Sequence, residues 1–575
     1  MSQYQGLLGV SNRESGYQFA VWAPHAKAVS VVGSFNEWNA DTHNMQAEDG
    51  GIWWCDIERA NNGDEYKFSI TTESGDVLTK NDPRARKLTN SVGNSVIYDD
   101  NFSWKSDKFE MVPVHERVIY ELHVGTFAKG EHSGTFDTAI EKLPDLVELG
   151  INVIEIMPVN EFAGDLSWGY NPAYPFAVEE AYGGPDALKR FIDAAHQAGI
   201  AVIVDVVYNH FGPSDLDIWQ FDGWSENGKG GIYFFNDNRS KTPWGDTRPD
   251  YGRQEVREYI KDNALMWLHE YNADGLRMDM IPYMRTISGV DDGSDDISEG
   301  ADLIKSINSE IKAQFPRKMS IAEDLHGHDY ITDTLENRGF GYTAQWDGNF
   351  VHPIRSVMTA SSYEGVDLSL IKNALLHKYS NNAYSRIVYT ESHDEIANGS
   401  ARIVEEIAPG NVDNDYFAKQ KGILCAVAVL TSAGIPMLFQ GQELKSPGWF
   451  DDTQKLDWDR REQFPDYYEA FKQLIALRKN INGTSAGLTG SETSIIHEDS
   501  DNKVIGYKRE NKEYGEKVYV FLNLSNRHIE DYRVNIDGNA LKCLFAWSNG
   551  LIDPADVKIT NGTIDLPSYG SLIFS

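Results

Sequence analysis

The stretch AVIVDVVYNH, residues 201–210, decides the fold. Its first seven residues, AVIVDVV, are apolar and mostly β-branched apart from Asp205, as in a strand buried on both faces. Such strands belong to parallel sheets covered by helices. The same rhythm repeats on either side. Upstream, Val118–Leu122 and Val153–Met157 read as strands, separated by a helix with Ile140, Leu143, Leu146 and Leu149 on one face. A helix around Leu188, Phe191 and Ala195 then leads into 201–207. Downstream, a helix carrying Val256, Ile260, Ala264, Trp267 and Tyr271 precedes strands at Gly275–Asp279, Met319–Glu323, Ile387–Tyr389 and Ile435–Gln440. Strand–helix alternation over roughly 360 residues implies parallel βα units, and their number predicts a (β/α)8 barrel over an open sheet. An open doubly wound sheet usually carries a glycine-rich phosphate loop, and the chain has none.

The flanks have a different period. Residues 1–105 contain short alternating segments, Tyr17–Trp22, Ala28–Val32, Trp53–Ile57 and Tyr66–Ile70, broken by Gly, Asn, Asp and Pro clusters, which predicts a β-sandwich. The polar run Asn101–Glu116 reads as a linker, and the barrel is expected over 106–480. After a helix around Phe471–Leu477, alternation returns at Val504–Lys508, Val518–Leu524 and Leu572–Phe574, predicting a small C-terminal β-domain over 481–575.

Composition narrows the function. With 52 basic and 87 acidic residues the net charge is −35, which repels phosphate backbones and anionic lipid, so nucleic-acid and membrane-surface roles are not expected. A neutral ligand suits it. The 14 Trp, 28 Tyr and 25 Phe are mostly core residues, though flat rings also suit sugar stacking. Cys55, Cys425 and Cys543 have no metal or redox spacing, and so sparse a count fits a reducing compartment. The start, MSQYQGLLGVSNRESGYQF, lacks a basic segment followed by an apolar run, and no stretch approaches eighteen apolar residues. A cytoplasmic protein without a membrane span is the expectation.

In a barrel, the C-terminal ends of the strands face the reaction chamber. Here those ends carry Asp205 with Tyr208-Asn209-His210, Arg277 with Asp279, Glu323-Asp324, and Glu391-Ser392-His393-Asp394-Glu395. Any one of these reads equally well as a helix cap, an ion-pair partner or a satisfied core histidine. Together they are costly unless neutralised or used. One carboxylate on each of strands four, five and seven, with an Arg two residues before the first, suits glycoside hydrolysis, which needs a nucleophile and a proton donor flanking one bond.

Those residues also carry a resemblance. DVVYNH (205–210), GLRMDM (275–280), IAED (321–324) and ESHDE (391–395) resemble, in order and spacing, the four short sequence regions of the α-amylase superfamily, glycoside hydrolase family 13. VWAPHAKAVSVVGSFNEW (21–38) is similar to the starch-binding-like sandwich of its branching, debranching and trehalose-releasing members. The resemblance implies Asp279 as nucleophile, Glu323 as general acid/base, and Asp394 as a binder of sugar hydroxyls in the distorted ring. It implies that Asp205, His210, Arg277 and His393 complete the subsite, with Tyr170 in SWGYNPAY (167–174), beside Trp168, stacking on the sugar. SHDEIANG (392–399) is similar to glycogen branching enzymes, HVGTF (123–127) and TPWGD (242–246) to maltooligosyltrehalose trehalohydrolases, and FQGQE (439–443) to hydrolytic members. Branching of an α-1,4-glucan polysaccharide and hydrolysis of glucans or maltooligosaccharides both remain open. A silent amylase-like binding protein is the remote alternative. Pro282 and Tyr283 replace the Lys-His pair of calcium-dependent amylases, so neither a metal nor a cofactor is expected; Asn209 alone matches a calcium-ligand position.

Overall fold

The computed structural model describes residues 6–129, 133–534, 536, 541–559 and 562–575. At its centre, eight parallel strands close into a barrel: β1 (Ile119–Leu122), β2 (Val153–Ile156), β3 (Ala201–Val206), β4 (Gly275–Met278), β5 (Met319–Ala322), β6 (Ala344–Trp346), β7 (Arg386–Val388) and β8 (Ile435–Phe439). Neighbours follow chain order, and β8 returns to β1 with Met437 opposite Ile119 and Phe439 opposite Glu121. The deciding stretch forms β3, and all six of its residues are buried.

The period of two along each strand sorts the barrel into two environments. Inward residues Ile119, Val153, Ile203, Met319, Ile321 and Met437 join one apolar cluster inside the barrel. The outward set, including Tyr120, Ile154, Val202 and Leu276, packs with the surrounding helices. Two residues further along β1 to β4, the inward positions turn polar, with Glu155 opposite Glu121 and Arg277 opposite Asp205. An apolar plug thus supports a charged floor. At Gly275 a Cβ would lie 2.7 Å from the Met319 carbonyl oxygen, so only glycine lets β4 and β5 approach this closely.

Three local expectations change. The sixth strand, Ala344–Trp346, has only three residues with a Gln at its middle, too short for a period to declare itself. The helix expected through Ile140–Leu149 is two helices, Phe136–Ile140 and Leu143–Leu149. Pro144 lies in the first turn of the second, where its missing N–H costs nothing. The third change concerns Asn101–Glu116, which does not hang loose. The backbone N–H groups of Lys105 and Ser106 donate to Asp193 Oδ1, each at 2.9 Å, and Ser106 Oγ donates to the same oxygen at 2.7 Å. The Phe109 ring lies flat on His196, with centroids 4.2 Å apart, while Phe109, Met111 and Val114 pack beneath the interior cluster.

Two antiparallel four-stranded sheets precede the barrel. Tyr17–Trp22 pairs with Ile52–Ile57 in one, and Ala28–Gly33 with Glu65–Thr71 in the other. Glu65–Thr71 alternates as a half-buried strand should, but every residue of Tyr17–Trp22 is buried. Phe19 meets Tyr66 between the sheets, whereas Trp22, on the opposite face, meets Tyr233 of the barrel. The strand is covered from both sides. Past the last barrel helix, Pro465–Arg478, a five-stranded sheet begins with Glu492–Asp499 and Val504–Asn511. Among the described residues, no helix is long and apolar enough to cross a membrane.

Replacing Phe109 by Ala should destabilise the barrel by roughly 1–3 kcal/mol, less than a fully buried Phe because the ring is only half-buried. The urea midpoint at constant slope reads this out; an unmoved midpoint would mean that 101–116 merely lies against the barrel.

Candidate active site

The site is organised by Arg277, which is 0% exposed at the end of β4. Its Nη1 lies 2.6 Å from Asp205 Oδ2 on β3 and 3.1 Å from Asp279 Oδ1, one residue past β4. Its Nη2 lies 2.7 Å from Glu323 Oε2, one residue past β5. One planar cation thus holds three carboxylates from adjacent strands. Trp346 of β6 lies across the guanidinium, 4.3 Å from ring centroid to Cζ.

Each carboxylate is fixed a second time. Asn209 Nδ2 donates to the Asp279 carbonyl at 2.9 Å and to Asp279 Oδ2 at 2.8 Å, so both oxygens of Asp279 are engaged. Tyr170 Oη donates to Asp205 Oδ2 at 2.6 Å. The Met280 N–H donates to Glu323 Oε2 at 2.8 Å, from a residue in the left-handed region with φ 35°. That strained turn aims a backbone donor at the carboxylate.

A second group joins from β7. The rings of Tyr170 and His393 stack with centroids 4.8 Å apart, and Trp168 meets His393 edge-on at 6.0 Å. Gly169 makes this possible: its φ is 94°, and a Cβ there would lie 2.2 Å from the Pro158 carbonyl oxygen. His393 Nδ1 sits 2.5 Å from Glu121 Oε1, and its Nε2 sits 3.4 Å from Asp394 Oδ2. His210 Nδ1 is 2.6 Å from Asn209 Oδ1, and its Nε2 is 2.8 Å from the Tyr170 carbonyl oxygen.

The electrostatics follow from this crowding. Burial, reinforced by the Asp279 and Asp394 charges, raises the Glu323 carboxyl well above the ordinary glutamate range, although Arg277 pulls it down. Burial also pushes Asp205 up to about 7, against the pull of Arg277. Burial opposes charge on His393 too, but Asp394 and Glu121 outweigh it and raise the imidazole well above its usual value. The His393 charge in turn overcomes burial at Asp394 and holds that carboxyl down at about 2. At His210 burial outweighs the upward pull of Asp279 and of the Tyr170 carbonyl, and lowers the imidazole.

All nine expected residues, Trp168, Tyr170, Asp205, His210, Arg277, Asp279, Glu323, His393 and Asp394, therefore come together at one barrel mouth. Their neighbours in the motifs are used elsewhere. Asp324 binds Arg285 at 2.7 Å, Glu391 binds Arg402 at 3.0 Å, and Glu395 lies 3.6 Å from Arg355. Asn209 orients Asp279 and His210 with both ends of its amide. Among the described residues, no group of three or more His, Cys, Asp or Glu is set out to hold a metal ion. Sequence reasoning missed Glu121, Glu155 and Trp346. The first two stand at alternate positions of otherwise apolar strands, a signal for inward-facing acids that becomes readable once the strands are aligned.

Comparison with known proteins agrees with this geometry. Residues 96–227 and 216–526 match the family described as "Alpha amylase, catalytic domain". Residues 7–85 match "Carbohydrate-binding module 48 (Isoamylase N-terminal domain)". The chain belongs to the α-amylase family and carries a carbohydrate-binding-module-48 domain at its N-terminal side. Similar curated proteins include the 1,4-alpha-glucan branching enzyme GlgB of Corynebacterium jeikeium, 30% identical over 92% of this chain and 76% of that protein. The GlgB of Geobacillus stearothermophilus is 29% identical over 91% and 82%. Among solved structures, a putative alpha amylase from Salmonella typhimurium superposes with TM-score 0.77 at 24% identity, over 99% of both chains. A pullulanase from Anoxybacillus complexed with maltotetraose superposes with TM-score 0.78 at 20% identity, over 100% of this chain and 88% of that one.

Glu121→Gln keeps the shape of the group at His393 Nδ1 but removes its charge. The His393 imidazole should then titrate at lower pH than in the wild type, as read from its ring-nitrogen NMR shifts. An unmoved titration would assign the whole effect to Asp394.

Proposed function

We propose that this protein is a retaining 1,4-α-glucan branching enzyme, with Asp279 as nucleophile and Glu323 as general acid/base. The observation that carries the reading is the single guanidinium of Arg277 touching both carboxylates, one through each terminal nitrogen. Retention expects the two carboxyl groups about 5–5.5 Å apart, a span that one shared guanidinium suits. The GlgB relatives support transfer over hydrolysis, and the maltotetraose-bound pullulanase supports an α-glucan chain as ligand.

In this reading, Tyr170 and Trp168 receive the sugar ring, while Asp394 and His393 bind its hydroxyls. Arg277 and Asn209 hold Asp279 aimed at the anomeric carbon. Glu323, held protonated by burial and the neighbouring carboxylates, gives its proton to the glycosidic oxygen. The C1–O4 bond breaks as the bond from C1 to Asp279 forms. Glu323, now a carboxylate, takes the proton of a 6-hydroxyl on an acceptor chain, and the new C1–O6 bond displaces Asp279. Water in the acceptor's place gives hydrolysis.

The chain divides, in the same proposal, into a glucan-binding-type sandwich at 1–105, a catalytic barrel at 106–480 and a β-domain at 481–575. The compartment is the cytoplasm, where the polysaccharide would be made and stored.

The deciding experiment is incubation with amylose, following reducing ends and the iodine complex together, and then debranching with isoamylase. Branching predicts falling iodine colour with few new reducing ends, and short chains released by isoamylase. Reducing ends that rise with the colour loss, and nothing for isoamylase to release, would make the protein a hydrolase.

Asp279→Asn and Glu323→Gln should each fold normally and lose several orders of magnitude in turnover, since no other group can take either role. Near-wild-type activity in either variant refutes the assignment. The raised pKa of Glu323 sets the pH dependence. The acid is competent while protonated, so activity should persist well above the ordinary glutamate value of about 4.3 and fall as pH rises through the elevated one. An alkaline limb at the ordinary glutamate value would show that the Glu323 carboxyl is not raised in the working enzyme.

A further inference from the structure

Trp168 and Tyr170 ride on a hairpin that an ordinary ladder cannot hold together. Its strands are Asn160–Phe162 and Pro172–Val178, paired antiparallel with register shifts on both sides of Glu161. Pro172 and Pro175 have no N–H to donate. Side chains supply the missing bonds. Asn160 Nδ2 donates to the Pro175 carbonyl, and two carboxyls cross the base of the hairpin. Glu179 Oε2 accepts the Phe162 N–H at 3.1 Å, and Glu161 Oε2 accepts the Glu180 N–H at 3.0 Å. Each acid thus fastens the other's segment. Glu179 Oε1 also accepts the Ala181 N–H, at 3.0 Å. Both residues are buried, and Glu161 Oε1 has no hydrogen-bond partner among the described residues.

The surrounding charges do not compensate for two ionised acids here. Asp165 repels charge on both, and Glu180 repels it on Glu161. Lys87 lies 3.8 Å from Glu180 and acts on that residue. Tyr182, beside Glu179, is kept neutral by burial, with Asp452 adding to the effect. Its hydroxyl lies 2.9 Å from His123 Nε2, an imidazole that burial holds down at about 4. Burial lifts both carboxyls far above the ordinary glutamate range, and the Glu161 charge adds to the rise at Glu179. We infer that Glu161 and Glu179 are positioning residues, which lock the base of the hairpin while they share one proton, keep Trp168 and Tyr170 in place, and let go when both are ionised. The consequence for sugar binding rests on the role proposed above for those two rings; the lock itself does not. A proton held more tightly by the locked hairpin than by an open one stabilises the locked form. That stabilisation is complete below the ordinary glutamate value of about 4.3 and is lost as pH rises through the raised one.

Glu161→Gln tests it. The amide keeps an oxygen for the Glu180 N–H and puts an NH2 group at the unpartnered position, so the hairpin should stay locked at every pH. Amide hydrogen exchange over 160–182, divided by the intrinsic chemical rate, reads the lock without reference to activity. In the wild type, protection should fall by up to about tenfold per pH unit above the raised value, the limit for release of one proton. In the Gln variant it should stay level. The KM for α-maltosyl fluoride should rise by the same factor in the wild type and stay level in the variant, because only the locked fraction binds. In this substrate the C1–F bond breaks with its electron pair leaving as fluoride while Asp279 bonds to C1, so the step does not draw on the Glu323 proton. Protection that ignores pH in the wild type, or falls equally in the Gln variant, overturns the lock. Protection that falls while KM stays level overturns the positioning of Trp168 and Tyr170, and their proposed donor role with it. A wild type that releases no fluoride defeats the covalent mechanism, and the exchange measurement still decides the lock.

Discussion

Arg277 is a fully buried cation inside a barrel, and the rest of the site is the set of groups that make it tolerable. Stripping a guanidinium of water costs several kcal/mol unless excellent geometry repays it, and a carboxylate costs the same. The repayment here comes from three directions at once. β3 supplies Asp205, the residue beyond β4 supplies Asp279, and the residue beyond β5 supplies Glu323. Trp346 from β6 closes the remaining face. Because the strands are parallel and in register, these groups arrive at one height only if each stands at the C-terminal end of its strand. Removing any partner would leave a neighbour's charge unbalanced, so the constellation stands or falls together.

The acids outnumber the bases, and protons make up the difference. Around Arg277 lie Asp205, Asp279 and Glu323; Glu155 lies one strand further round on β2 and Glu121 two, on β1, and Asp394 lies at the mouth. His393 adds one positive charge, held by Glu121 and Asp394. Glu155 is 1% exposed, neither of its oxygens has a hydrogen-bond partner among the described residues, and burial with the Glu121 charge drives its carboxyl well up. Asp205 rises to about 7 through burial, with the Asp279 charge adding to it against Arg277. A floor this crowded forces some carboxyls to stay neutral. Glu323 is among those pushed toward neutrality, which is what a proton donor needs, while Asp394 beside a charged imidazole is pushed the other way.

Much of this was legible in the sequence because a buried parallel strand has few ways to be written. AVIVDVV could hardly be anything else, and a lone Asp in such a run has to face something that accepts a charge. The motifs that carried the resemblance sit on the strand ends that form the site. What was hidden depended on register or length. AQW, residues 344–346, is shorter than a period can reveal, so β6 and the role of Trp346 stayed out of sight. Glu121 and Glu155 face inward because each stands two residues beyond an inward residue, Ile119 and Val153, and only the paired strands reveal which face that is. The polarity of 101–116 suggested a tether, yet its scattered Phe109, Met111 and Val114 are enough to seal the barrel base. A few apolar residues in a polar run carry little weight in composition and much in packing.

The two aromatic groups at the mouth have different mechanical support, and this bears on what the barrel can do with a glycosyl-enzyme. Trp168 and Tyr170 ride on a loop pinned by Gly169 and by the stack with His393, which ties their rings to Asp394. Trp244 is braced on His210 and Tyr283, and through them on the turn that holds Glu323. Water is present at about 55 M, so an acceptor hydroxyl wins only if binding gives it a much higher effective concentration at C1. Pre-ordered rings bind without a further entropy loss when the chain arrives, because their freedom was already spent in folding.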